Sequence, residues 1–267
     1  MIRQILFVAA ALGINLTPSE LLADNFEIRE QNDRLGRIYS YVRSNIDGSN
    51  RENVLVFRRD RKQIEVYKYR QRCHSAALVT AELDPALRSA ASITGGKLLP
   101  GARHQEFAFL TYDKNASRID FNVLMPEQTL SLELDIEDGP WHLFDFDLAS
   151  LTVMTPHLAK VEDGFGFEMP LFWADAADNP ARYLGHVDAT HAGGEQLGDT
   201  ATFRFDISGG VEGSIWLDAE DRHIVLATLD RPNHPGYKNF KLELMSVSDG
   251  GPEEWTGLLT AHYEGCN

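Results

Sequence analysis

Between residues 201 and 229 the chain is restricted to one kind of structure. Phe203, Phe205 and Ile207 alternate with Thr202, Arg204 and Asp206, and Gly209-Gly210 breaks the run. Ile215-Trp216-Leu217 follows. A second break falls at Ala219-Glu220-Asp221, and Ile224 opens a third apolar run that ends at Leu229. A period of two puts successive side chains on opposite faces, so each run reads as a strand with one buried face. Paired glycines supply the positive φ that a tight hairpin needs. The three runs therefore predict a three-stranded meander.

The same signature recurs along the chain. Residues 37–42, 54–57, 64–69 and 76–83 are rich in Val, Ile, Phe and Tyr, which suit a pleated surface. Ile119, Phe121 and Val123 alternate with Asp120 and Asn122, and Leu130, Leu132, Leu134 and Ile136 with Ser131, Glu133 and Asp135. Residues 107–112, 165–172, 183–187 and 240–244 complete about a dozen strands. Residues 84–96 give a weak signal, and Gly95-Gly96 and Pro100-Gly101 read as loops. One greasy and one wet face favour antiparallel pairing. The expected fold is mainly β, a single curved antiparallel sheet or barrel-like sandwich with two or three short helices, and residues 24–267 form one domain. The alternative is a division into two β domains near Asp138-Gly139-Pro140.

Two stretches read as helical. Within the apolar residues 141–154, Asp145 or Asp147 can cap a short helix through residues 148–151, which Pro156 stops. Pro252-Glu253-Glu254 opens a last helix that gathers Trp255, Leu258, Leu259 and Tyr263 on one side.

The N-terminus has the form of a secretory signal peptide. Arg3 gives a positive start, residues 5–16 are almost wholly apolar, and small Ala23 precedes Asp24. The apolar core is shorter than the ~20 residues of a spanning helix, and no later segment reaches that length. Cleavage after residue 23 leaves an exported chain, placed in the periplasm or outside the cell. The competing reading is an uncleaved anchor. In an oxidising compartment the two cysteines, Cys73 and Cys266, are expected to pair. The formal net charge is −15, and residues 1–23 hold only Arg3 and Glu20, so cleavage leaves it unchanged. So acidic a surface repels phosphate backbones, and no basic run carries interleaved aromatics, which argues against a nucleic-acid partner.

Signals for chemistry are sparse. His186, Asp188 and His191 offer imidazole and carboxylate for zinc or iron, but their spacing matches no established metal signature, and surface polar residues at a strand end are the better reading. His142 near Asp145 and Asp147 suits general acid–base work, or else a capped helix start. His234 stands between Asn233 and Pro235, in a rigid loop. There is no Gly-x-Ser-x-Gly elbow and no glycine-rich phosphate loop, so no cofactor is expected.

A Phe-Asp-Phe-Asp-Leu-Ala-Ser-Leu segment at 144–151, a greasy sheet before it and a hairpin ending in Ile-Trp-Leu-Asp at 215–218 resemble a group of exported bacterial proteins. Their sheets are similar to the half-open barrel of the periplasmic lipoprotein carriers of the LolA/LolB type. The resemblance spans roughly residues 100–247 and implies a concave, apolar-lined sheet in the bacterial envelope, with no catalytic residues. The expected function is a periplasmic binding or carrier protein for an apolar or amphiphilic, lipid-like small molecule. Its ligand would meet Trp141, Phe144, Phe146, Leu148 and Leu151, acting as a lid, together with Trp216. Two alternatives stay open: a structural or interaction module of the cell envelope, and a secreted enzyme using His142 or His186 with nearby carboxylates.

Overall fold

A computed structural model describes residues 25–173 and 179–266. The expected signal peptide, residues 1–23, lies outside them. Fourteen strands form one antiparallel sheet. They are β1 (Ile38–Ser44), β2 (Glu52–Arg58), β3 (Gln63–Tyr69), β4 (Ala76–Leu83), β5 (Ala90–Leu99), β6 (Arg103–Asp113), β7 (Arg118–Leu124), β8 (Thr129–Asp135), β9 (Phe165–Phe172), β10 (Ala181–Leu197), β11 (Thr200–Gly209), β12 (Gly213–Asp218), β13 (Ile224–Leu229) and β14 (Phe240–Ser248). The spatial order is β8-β7-β6-β5-β4-β3-β2-β1-β14-β13-β12-β11-β10-β9. It consists of two meanders, one before and one after residues 136–164, sewn together where β1 pairs with β14.

That order decides the path of the middle of the chain. β8 and β9 are consecutive in sequence but lie at opposite edges of the sheet. Open sheets of more than ~10 strands curl or flatten, and this one curls until its edges face each other. Phe121 of β7 stacks on Phe172 of β9 with ring centroids 4.8 Å apart, and β8 approaches β10. The link from β8 to β9 runs through the concave side. It makes a 3-10 turn at Phe144–Phe146 and a short helix α1 (Ala149–Met154), and it lies beside β9 through reciprocal backbone bonds, Glu168 N–H to Pro140 O and His142 N–H to Glu168 O.

Residues 141–151 are therefore a plug rather than the expected lid. Trp141, Phe144, Phe146, Leu148 and Leu151 are each no more than 1% exposed. They join the inward rows of the strands, such as Tyr39 and Tyr41 of β1, Phe205 of β11 and Phe240 of β14, in one core. Burying side chains of this size is worth ~1.5–3 kcal/mol each. Strands on both sides of Asp138-Gly139-Pro140 belong to the same sheet and line the same core. A second cluster forms on the outer face, where the C-terminal helix α2 (Gly251–Ala261) stacks Trp255 on Phe57 at 5.1 Å. A Cys73–Cys266 disulfide fastens the end of the chain to the loop after β3.

Three local readings differ. β5 occupies the stretch that gave a weak signal, and Gly95-Gly96 lies inside it at a bulge. A Cβ on Gly96 would sit 2.1 Å from the Gln105 carbonyl oxygen, so the glycine marks close backbone approach rather than a loop. β10 extends to 17 residues, twice interrupted by bulges at Tyr183/His186 and His191/Gly193, which blurred its alternation. Neither Asp145 nor Asp147 caps α1; its N-cap is Leu148, with no side-chain cap.

Candidate functional site

The inward rows of the first three strands each carry a charge. Tyr39 and Tyr41 lead to Arg43 on β1, Val54 and Val56 share their face with Glu52 on β2, and Ile64 and Val66 lead to Lys68 on β3. Period two aims all three at the interior. Arg43 and Glu52 are register partners and form an ion pair. The Arg43 side chain is 2% exposed, so its charge needs partners inside the protein.

The plug supplies them. Asp147 is fully buried and meets Arg43 Nη1 at 3.0 Å and Lys68 Nζ at 2.7 Å. Asn233, in the loop between β13 and β14, donates from Nδ2 to Asp147 Oδ1 at 2.7 Å and to the Phe144 carbonyl at 3.1 Å. Lys68 also donates to the Asp145 carbonyl. The Arg43 guanidinium lies over the Tyr237 ring, 4.8 Å from its centroid. To present its carboxylate here, Asp147 adopts φ 52°, and Leu148 follows at φ 58°. Two successive non-glycine residues in this region cost on the order of 1–3 kcal/mol each, which the ion pairs and the packing of Leu148 offset. Burial pushes the Asp147 carboxyl up, but the charges of Arg43 and Lys68 and the bonds from Lys68 and Asn233 bring it below the usual carboxylate range. Asp145 goes the other way. Burial raises it, and the charges of Lys68 and His234 do not compensate.

Beside this cluster is a cavity of about 420 Å³. Its wall is apolar where Val79, Ile93, Phe107, Leu110, Phe146 and Phe172 face it, and polar where Arg43, Glu52, Lys68, Asp145 and His234 do. Trp173 also lines it, held by a bond from its indole N–H to the Asn233 carbonyl at 2.9 Å, with Arg182 stacked 4.1 Å from its ring.

The residues singled out in the sequence are dispersed. Phe146 lines the cavity, whereas Trp141, Phe144, Leu148 and Leu151 are core. Trp216 is opposite Arg204 on the outer face, with its indole N–H on Glu195 at 2.8 Å. His142 is not brought to Asp147. It bonds Ser150 through Nδ1 at 2.8 Å, and burial pulls its pKa down to about 3, so it is neutral. His234 does line the cavity, with Nδ1 turned to the Pro235 carbonyl.

His186 enters a different cluster, away from the cavity wall. Its Nδ1 lies 2.6 Å from Glu168 Oε1 and its Nε2 3.3 Å from Asp188 Oδ1, while Tyr183 donates its hydroxyl to the other Glu168 oxygen. A Cβ on Gly166 would come within 2.8 Å of Nε2, so that glycine makes room for the ring. Burial lowers the imidazole pKa, but the bond and charge of Glu168, then Asp188, carry it above its ordinary value. His191 turns elsewhere, against Phe203 and Phe205. Among the described residues, no group of three or more His, Cys, Asp or Glu is placed to hold a metal ion.

Arg43, Glu52, Lys68, Asn233 and Glu168 were not singled out from the sequence. The first three had a readable signal, a charge at a position whose parity belongs to the buried face. Asn233 and Glu168 had none. No protein-family model matches the chain, and a search of curated proteins finds no match.

Proposed function

We propose that this protein is an extracytoplasmic binding protein that holds one small apolar or amphiphilic molecule in the cavity beside the Arg43–Asp147 cluster. The observation that carries the reading is the division of the cavity wall, apolar where Val79, Ile93, Phe107, Leu110 and Phe146 line it, polar where Arg43, Glu52 and Lys68 of β1–β3 meet Asp145 and His234. Binding sites for small molecules are concave, mostly apolar and fitted with a few fixed polar groups, and this volume falls in their range of ~300–1,000 Å³. The network around Asp147 pre-orients the polar end, which lowers the ordering cost of binding. The Cys73–Cys266 disulfide supports an oxidising location, in line with the charged and apolar N-terminus. The resemblance to periplasmic lipoprotein carriers points the same way. No helix among the described residues is long and apolar enough to cross a membrane.

A second reading rests on the plug. Residues 141–151 pack into the core on the concave side, as they would in a structural module of the envelope. Incubation with a bacterial lipid extract, repurification and mass spectrometry separates the two. The binding reading expects a stoichiometric apolar or amphiphilic species that is lost on organic extraction. Protein that retains no such species supports the structural module.

A further inference from the structure

The polar end of the cavity is not neutral by itself. Arg43 and Lys68 face Glu52 and Asp147, and each cation is committed, Arg43 to both carboxylates and Lys68 to Asp147 and the Asp145 carbonyl. This leaves the Asp145 carboxyl. Its Oδ1 is buried and has no hydrogen-bond partner among the described residues, although Asp145 lines the cavity. Buried polar atoms are nearly always satisfied, and of the two acidic residues of the lining Glu52 is paired with Arg43 whereas Asp145 has no ion pair among the described residues, so its carboxyl asks for a donor from the occupant. Lys97, the other cation of the lining, is exposed to solvent. His234 turns its Nδ1 to the Pro235 carbonyl. The aromatic groups on the same wall, Phe107, Phe146, Phe172 and Trp173, favour a cation over an anion.

Resting on the reading of the cavity as a ligand site, we propose that its occupant is a single-chain amphiphile with a primary ammonium head, and that Asp145 receives that head. The ammonium supplies both the missing charge and the missing hydrogen-bond donor. The chain lies along Val79, Ile93 and Leu110. A carboxylate head would meet Asp145 as a like charge, and a hydroxyl head would satisfy the oxygen without neutralising it.

Isothermal titration of the full mature chain at neutral pH with decylamine, decyltrimethylammonium, decanol and decanoate tests this. Decylamine is expected to bind one site, roughly tenfold or more tighter than decanol, as suits a charge-assisted bond, with decanoate weakest. Decyltrimethylammonium, which keeps the charge and lacks the donor, should fall between decylamine and decanol. Asp145→Asn should remove the advantage of decylamine and leave decanol within about threefold. The variant also controls for general attraction of amines to a chain of net charge −15, which it barely changes. In the wild type the amine's advantage should fade as acid protonates Asp145. Decanoate binding as tightly as decylamine, or decylamine unaffected by Asp145→Asn, overturns the head-group assignment and leaves the cavity reading intact. If none of the four binds, the cavity reading itself fails.

Discussion

Arg43 of the first strand and Asp147 of the plug, 104 positions apart in sequence, meet at 3.0 Å with both side chains almost wholly buried. The pair fastens the interior segment to the wall of the curved sheet and fixes the polar end of the cavity. Breaking a buried pair by removing one partner leaves the other charge uncompensated, at about 3–5 kcal/mol. Asp147→Ala should lose stability of that order in urea unfolding, and a loss under about 1 kcal/mol would show that the pair does not anchor the plug.

Asp147 also sets the acid limb of the stability curve. Its carboxyl is held below the usual range in the folded state, so its contribution is present above the unfolded pKa of about 3.9 and lost as pH falls through the lower folded value. Unfolding measured from pH 6 to pH 2 should show a steeper acid loss in the wild type than in Asp147→Asn. Equal slopes would contradict the shift.

His186 carries the opposite sign. Its folded pKa is raised, so its contribution is present below the unfolded value of about 6.5 and disappears as pH rises through the folded one. Glu168→Gln removes the negative charge 2.6 Å from the ring and leaves an acceptor oxygen in its place. The imidazole pKa, followed by NMR, should then fall, and an unchanged titration would mean that Glu168 does not hold the proton.

The Cys73–Cys266 bond joins residues 193 apart in sequence. The chain-entropy model assigns a loop of that length roughly 5 kcal/mol. Cys266→Ser should lose up to that amount, less where the Tyr67–His262 and Tyr263–Leu98 bonds keep the C-terminal helix in place without the bridge. Alkylation of both thiols in native, unreduced protein would show that the bond is not formed.

Gly95 and Gly96 separate two uses of glycine. Gly95→Ala would bring its Cβ to 3.5 Å from the Ala108 Cβ, an ordinary contact, whereas Gly96→Ala would place one 2.1 Å from the Gln105 carbonyl oxygen. Thermal unfolding should show Gly96→Ala destabilised by about 2–3 kcal/mol and Gly95→Ala by clearly less. The reverse order would contradict the register of β5 and β6.

The same glycines show what the sequence could convey. Ile119, Phe121 and Val123 announced their strand because each reports burial at its own position, and β7 lies where the alternation put it. Gly95 and Gly96 report only the absence of a side chain, which suits a loop and a close strand approach equally. Trp141, Phe144 and Leu148 were legible as buried. Whether they cover the sheet or fill it depends on the spatial order of β8 and β9, a long-range property that no local pattern encodes. The charge cluster was half legible. Arg43, Glu52 and Lys68 stand at core-parity positions, but Asn233 comes from a distant loop with no periodicity to betray its direction.

Occupancy of the cavity is tested most directly by blocking it. Ala108 lines the wall on β6, and Ala108→Trp fills much of the space without touching the Arg43–Asp147 cluster. Titration with the neutral fluorescent amphiphile N-phenyl-1-naphthylamine should show saturable, one-site binding to the wild type. A folded Ala108→Trp variant, checked by circular dichroism, should bind none. Equal binding by both proteins, or no saturable binding by the wild type, would contradict the assignment of this cavity as a ligand site.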